Sequence, residues 1–401
     1  MIAKGFYSLV LSALVGISIS AQQSVTGTVV GTAPGSAIGR LSVMQVPPPP
    51  PTCATLASGK GPTLPGMIFS RMMGDLVCER KPDGSSSELL SGAPFAAISP
   101  TGTEIAYWAV EKRELHVFAT ATHTDIAVDS LPGAIMRDLV WSRQGRRLLY
   151  LASAIEPAGI RIIDFDSGKR SLLAGHFTTL TESPDPDYAV AVTPTGVQKI
   201  RLADGKPEML AAAEFATDTS FSRSGQLLGF LVPPPSAKSG PAGANAQAED
   251  DSPDCTGGTS ILKVQEKGKA RLLTVPFPRG FDSVLDFSFS PDDRNIAVTF
   301  GAAACDYPGD VAHVYVVSVA ELKLTPVSPS GRLSVKPQWS PDGNVIVYSD
   351  YTASDSGLFA VDLQARVATR VTDSRDNGPD QWIAWRSSGQ SVIASKLPIG
   401  K

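Results

Sequence analysis

Trp339-Ser340-Pro341-Asp342-Gly343-Asn344-Val345-Ile346-Val347-Tyr348-Ser349 compresses an aromatic residue, a tight turn and an apolar strand into one short run. Proline presets φ at the second turn position, Asp bonds local backbone, and Gly accepts the left-handed conformation that closes a hairpin. The β-branched and aromatic residues that follow read as a strand. The same turn recurs, intact or degraded, at Ser99, Ser142, Ser183, Ser222, Ser290, Ser340 and Ser387. The serines step by 43, 41, 39, 68, 50 and 47 residues, and the step of 68 contains an insertion. Five copies have an aromatic close before the serine: Trp141, Phe221, Phe289 and Trp339 directly before it, and Trp385 two residues before Ser387.

Each unit goes on to a second hairpin, as in Gly159 to Gly168 or Leu358 to Arg366, and then a short closing strand such as Arg170 to Leu173. Four antiparallel strands in a repeat of about 40 to 50 residues predict a propeller blade. The motif resembles the WD40-like (PD40) repeats of the TolB family over roughly residues 66 to 397. That resemblance implies an all-β propeller in which the turn joins the innermost strand of a blade to the second.

Six complete units start near Phe95, Ile135, Phe177, Asp218, Phe281 and Leu333. A seventh begins at Gln381 and runs short, while residues 67 to 90 offer its missing strands. The expected ring therefore has seven four-stranded blades, with six as the alternative. It closes through one blade shared between the two ends of the chain, split 2+2 or 1+3.

Residues 1 to 21 carry Lys4, an apolar run from Phe6 to Ile17 and small residues through Ala21, the pattern of a cleavable secretory signal. Residues 22 to 65 form a Pro/Gly-rich tail with an unbroken Pro47 to Pro51 run, and 66 to 401 form the propeller. The protein is expected in the periplasm or outside the cell, as a monomer with no membrane span. With 35 Lys+Arg against 39 Asp+Glu among 401 residues, nucleic acid is not an expected partner.

In the blade topology the long segments 233 to 258, 301 to 310 and 351 to 357 crowd the face opposite the turns. The first of these is expected to be disordered. Cys255 and Cys305 fall in the first two loops, so of the three possible pairings this topology selects Cys255–Cys305 and leaves Cys53 for Cys78. Asp306, Asp310, Asp350 and Asp355 lie on the same face and are the candidate binding residues. The four His, at 116, 123, 176 and 313, show no metal-site spacing, and no G-x-S-x-G is present. No metal, no cofactor and no catalytic set is expected. The function expected is a non-catalytic scaffold for a protein or peptide; the alternative is a polysaccharide lyase or hydrolase with its site in the central channel.

Overall fold

A computed structural model describes residues 53, 64, 66–71, 76–93, 95–144, 146–234, 260–269, 272–301, 312–330, 332–351, 357–372 and 380–385. Every regular element among them is a β-strand. The strands group into four-stranded antiparallel meanders in sequence order; those of units five and six are joined by a single parallel bridge between Ala312 and Leu333. The first strands of the six units are Ala96–Ile98, Ile135–Trp141, Thr179–Thr181, Thr219–Phe221, Ser283–Phe289 and Leu333–Trp339. One further sheet is ordered Asp380–Trp385, Met67–Arg71, Leu76–Arg80, Ser86–Leu90, with Met67 opposite Trp385. The closing sheet is thus split 1+3, its first strand coming from the C-terminal side. The rest of the seventh unit, beyond Trp385, lies outside the described residues.

The apolar runs are apolar at every position because both faces of each sheet are covered. In Arg147–Ser153, Leu148 and Tyr150 pack toward unit one, whereas Leu149 and Leu151 pack toward unit three. Seven buried clusters result, each shared by two consecutive sheets. The last brings Val345, Val347 and Leu358 of unit six against Met67, Phe69 and Cys78 of the closing sheet, so the sheets form a ring. First strands of neighbouring units touch one another, which makes them the inner strands.

The turn serine contributes more than its place in the motif suggests. Ser99, Ser222, Ser290 and Ser340 are all buried. In each of these turns, and at Ser142, the serine Oγ accepts the backbone N–H five residues on, at 2.9 to 3.1 Å. At Ser290 and Ser340 the hydroxyl also donates to the turn Asp. Gly102, Gly225 and Gly343 take positive φ, and at the degraded copy Asp293 does so instead. A Cβ on Gly225 would stand 2.6 Å from Pro184 Cβ, so the glycine of one turn also makes room for the proline of the turn before it.

Trp141 and Trp339, just before two of these serines, are buried and also donate. Trp141 Nε1 bonds Ala97 O at 3.0 Å and Trp339 Nε1 bonds Ser288 O at 3.1 Å, each on the inner strand of the previous unit. An inner strand has a free edge toward the axis, and these side chains satisfy part of it.

Cys53 and Leu64 are fastened to the ring. Cys53 forms a disulfide with Cys78, with Cα atoms 5.6 Å apart, and both Cys53 and Leu64 lie in the cluster between unit six and the closing sheet. Cys255 and Cys305 lie outside the described residues, as does the 235–259 insertion.

Candidate functional site: the axial channel

The residues four positions before the first six turn serines are Phe95, Asp138, Thr179, Asp218, Asp286 and Lys336. The repeat places them at one level of the ring. Three carboxylates and one ammonium thus come from units two, four, five and six. Pairing shifts register between Met136 and Asp138, between Val284 and Asp286, and between Val335 and Gln338. Such bulges add a residue on one strand and re-aim its side chains. Strict alternation would not have predicted where these charges point.

Asp138 Oδ2 accepts the Leu180 N–H at 2.6 Å and its Oδ1 accepts the Leu139 N–H at 2.9 Å. Asp286 Oδ2 accepts the Lys336 N–H at 3.3 Å. Both carboxylates therefore bind the exposed backbone edge of the next unit's inner strand. Burial pushes each up to about 6, and the charge of Asp218 pushes in the same direction. Asp218 is itself raised by burial, against the pull of Lys336. Asp138 and Asp218 thus influence one another although unit three lies between their units. Asp138 and Asp286 are half-buried and Asp218 is exposed. Desolvation nevertheless dominates all three, because protein groups crowd each carboxyl even where solvent reaches it.

On the side of the turns, side chains bridge the units. Arg143 Nε donates to Glu182 Oε1 at 2.9 Å, and its guanidinium reaches across unit three to Arg223 O at 2.8 Å. Ser222 donates to Asp293 Oδ2 at 2.9 Å, and Ser224 bonds the same oxygen. A side chain that spans from the turn of unit two to that of unit four lies on a chord of the ring, inside the circle of turns. Together these side chains tie the turns of units two to five to one another.

Of the residues expected on the opposite face, Asp350 is described. It lies in Val345–Tyr351, is fully buried, and binds Arg332 Nε at 2.7 Å. Its register partner Ser334 is also fully buried. Asp306, Asp310 and Asp355 lie outside the described residues. The sequence reading missed Asp138, Asp218, Asp286 and Lys336, although their constant offset from the turn serine is visible in the repeat. Among the described residues, no three His, Cys, Asp or Glu side chains group to hold a metal ion, and no helix is long and apolar enough to cross a membrane.

No protein-family model matches the chain and no curated protein matches it in sequence. The propeller domain of the trilobed protease from Pyrococcus furiosus is similar in structure at a TM-score of 0.54, with 15% identity over 81% of this chain and 98% of that one. The chain is a β-propeller. An oligogalacturonate lyase from Vibrio parahaemolyticus has a TM-score of 0.51 at 11% identity, over 76% of this propeller and 84% of the lyase. TolB from Acinetobacter baumannii has a TM-score of 0.48 at 15% identity, over 82% and 68%. At these identities the likeness is one of fold. The Pyrococcus domain is described as an open velcro topology, whereas this propeller has a sheet that joins strands from its two ends.

Proposed function

We propose that this propeller is an exported, non-catalytic scaffold that binds a protein or peptide partner, with the axial channel and the face away from the turns as its binding region. The observation that carries the proposal is the inner layer at Asp138, Asp218, Asp286 and Lys336. Charges desolvated in this way are costly to the fold, and clefts that hold perturbed ionisable groups are where binding concentrates. Export is supported by the signal-like residues 1 to 21 and by the Cys53–Cys78 disulfide. Asp306, Asp310 and Asp355, with a Cys255–Cys305 bridge between neighbouring loops, belong to the same proposal. The test is capture of a partner by the mature protein from its native envelope or secreted fraction. A specific partner lost on changing the channel layer supports the scaffold, and no specific partner in either fraction counts against it.

One observation favours a second reading. Carboxyls held near 6, such as Asp138 and Asp286, suit proton transfer at neutral pH. Turnover of an oligosaccharide by the purified protein, abolished in Asp138→Asn or Asp286→Asn, would replace the scaffold by a channel enzyme.

A further inference from the structure

Phe95, Ile135, Phe215 and Leu285 are large apolar side chains left 42, 55, 62 and 43% exposed. Ile135 and Phe215 each stand seven residues before a turn serine, Leu285 stands five before at a bulge, and Phe95 belongs to the charged layer. Inner strands run toward the turns, so Ile135, Phe215 and Leu285 lie on the side of that layer away from the turns. They leave apolar surface exposed on units two, four and five, the same units that carry the three carboxylates: Ile135 at the start of its inner strand, Phe215 in the loop leading into Thr219–Phe221, and Leu285 beside Gly301. Phe215 is held at φ 59°, a left-handed conformation that disfavours an aromatic residue.

We infer that this mouth receives the end of a partner polypeptide that leads with a cationic group and follows with apolar residues. The inference rests on the scaffold reading and adds the partner's chemistry. Three carboxylates against one ammonium leave the layer acidic, so a leading guanidinium or ammonium is drawn to the level of Asp138, Asp218 and Asp286. Apolar residues behind it then cover the exposed apolar surface. The segment enters end-on, with its free terminus leading into the charged layer.

The probe is a synthetic peptide with free N-terminal arginine, phenylalanine and leucine and a fluorophore at its C-terminus, titrated against the mature chain. It is expected to bind at least about tenfold tighter than the same peptide with glutamate in place of arginine, and to weaken as salt is added. Acetylating its N-terminus separates the α-ammonium from the guanidinium. Asp138→Asn with Asp286→Asn is expected to cost about tenfold, and the salt dependence of the unaltered protein carries the test if that variant fails to fold. A version with a folded domain fused at both ends is expected not to bind. Equal or tighter binding of the glutamate peptide, equal binding of the doubly fused one, or no peptide binding overturns the inference. If a captured partner binds through an acidic or internal segment, the inference falls and the scaffold stands. If no partner is captured, the scaffold reading itself falls.

Discussion

Replacing Ser340 by alanine tests the role given to the turn serine. Its Oγ accepts the Val345 N–H at 2.9 Å and donates to Asp342 Oδ1 at 2.5 Å, and the residue is 5% exposed. Removing the hydroxyl leaves the buried Val345 N–H without that acceptor, a cost of about 1 to 3 kcal/mol, and forfeits a bond to a partly exposed carboxylate worth about 0.5 to 1.5 kcal/mol. The expected loss is about 2 to 4 kcal/mol. It should appear in equilibrium urea unfolding as a lower midpoint at unchanged slope. Ser340→Thr keeps the hydroxyl and should lose less. The same hydroxyl is the largest cause holding Asp342 below the ordinary carboxylate range, so its titration in the alanine variant should move up. A loss below about 0.5 kcal/mol, with Asp342 titrating as before, would refute the claim that the serine ties the turn together.

Opening the Cys53–Cys78 bridge, which spans 25 residues, should lower stability by about 3 to 4 kcal/mol in the chain-entropy picture, read as a reductant-dependent midpoint that Cys53→Ala abolishes. Thr299 Oγ1 and Tyr348 Oη are buried without a hydrogen-bond partner among the described residues, between units five and six, so Thr299→Val and Tyr348→Phe should each leave the melting temperature unchanged or raise it. A clear loss would mean that these hydroxyls are bonded in solution. Asp138 and Asp286 have folded values raised from 3.8 to about 6, so the folded state binds the extra proton. Their contribution to stability is full below about pH 4 and is lost as pH rises through 6. Asp138→Asn should therefore flatten the stability profile between pH 4 and 6, and an unchanged profile would argue against the desolvated channel.

The ring was legible because its determinants are local and repeated. The SPDG turn, the following apolar strand and the incomplete last unit all appear in the order of residues, and the closing sheet follows from needing to cover an edge. The 1+3 split was not legible, since both ends offer a second strand and only long-range pairing chooses between them. The charged layer was missed for a different reason. Asp138, Asp286 and Lys336 sit in strand runs at bulges, where alternation no longer tells a side chain's direction. Asp350 shows the converse error of emphasis. An acid near a loop reads as solvated, yet here the strand extends to Tyr351 and Arg332 compensates its burial.

The pairing of Met67 with Trp385 also orders events in time. A chain made from its N-terminus produces Met67–Leu90 long before Asp380–Trp385, so the closing sheet cannot form until the six units between them have been made. Contacts of such sequence separation form slowly, after local hairpins have already assembled. This late closure acts as a delay built into the topology: the clasp shuts only once every unit it encloses is available.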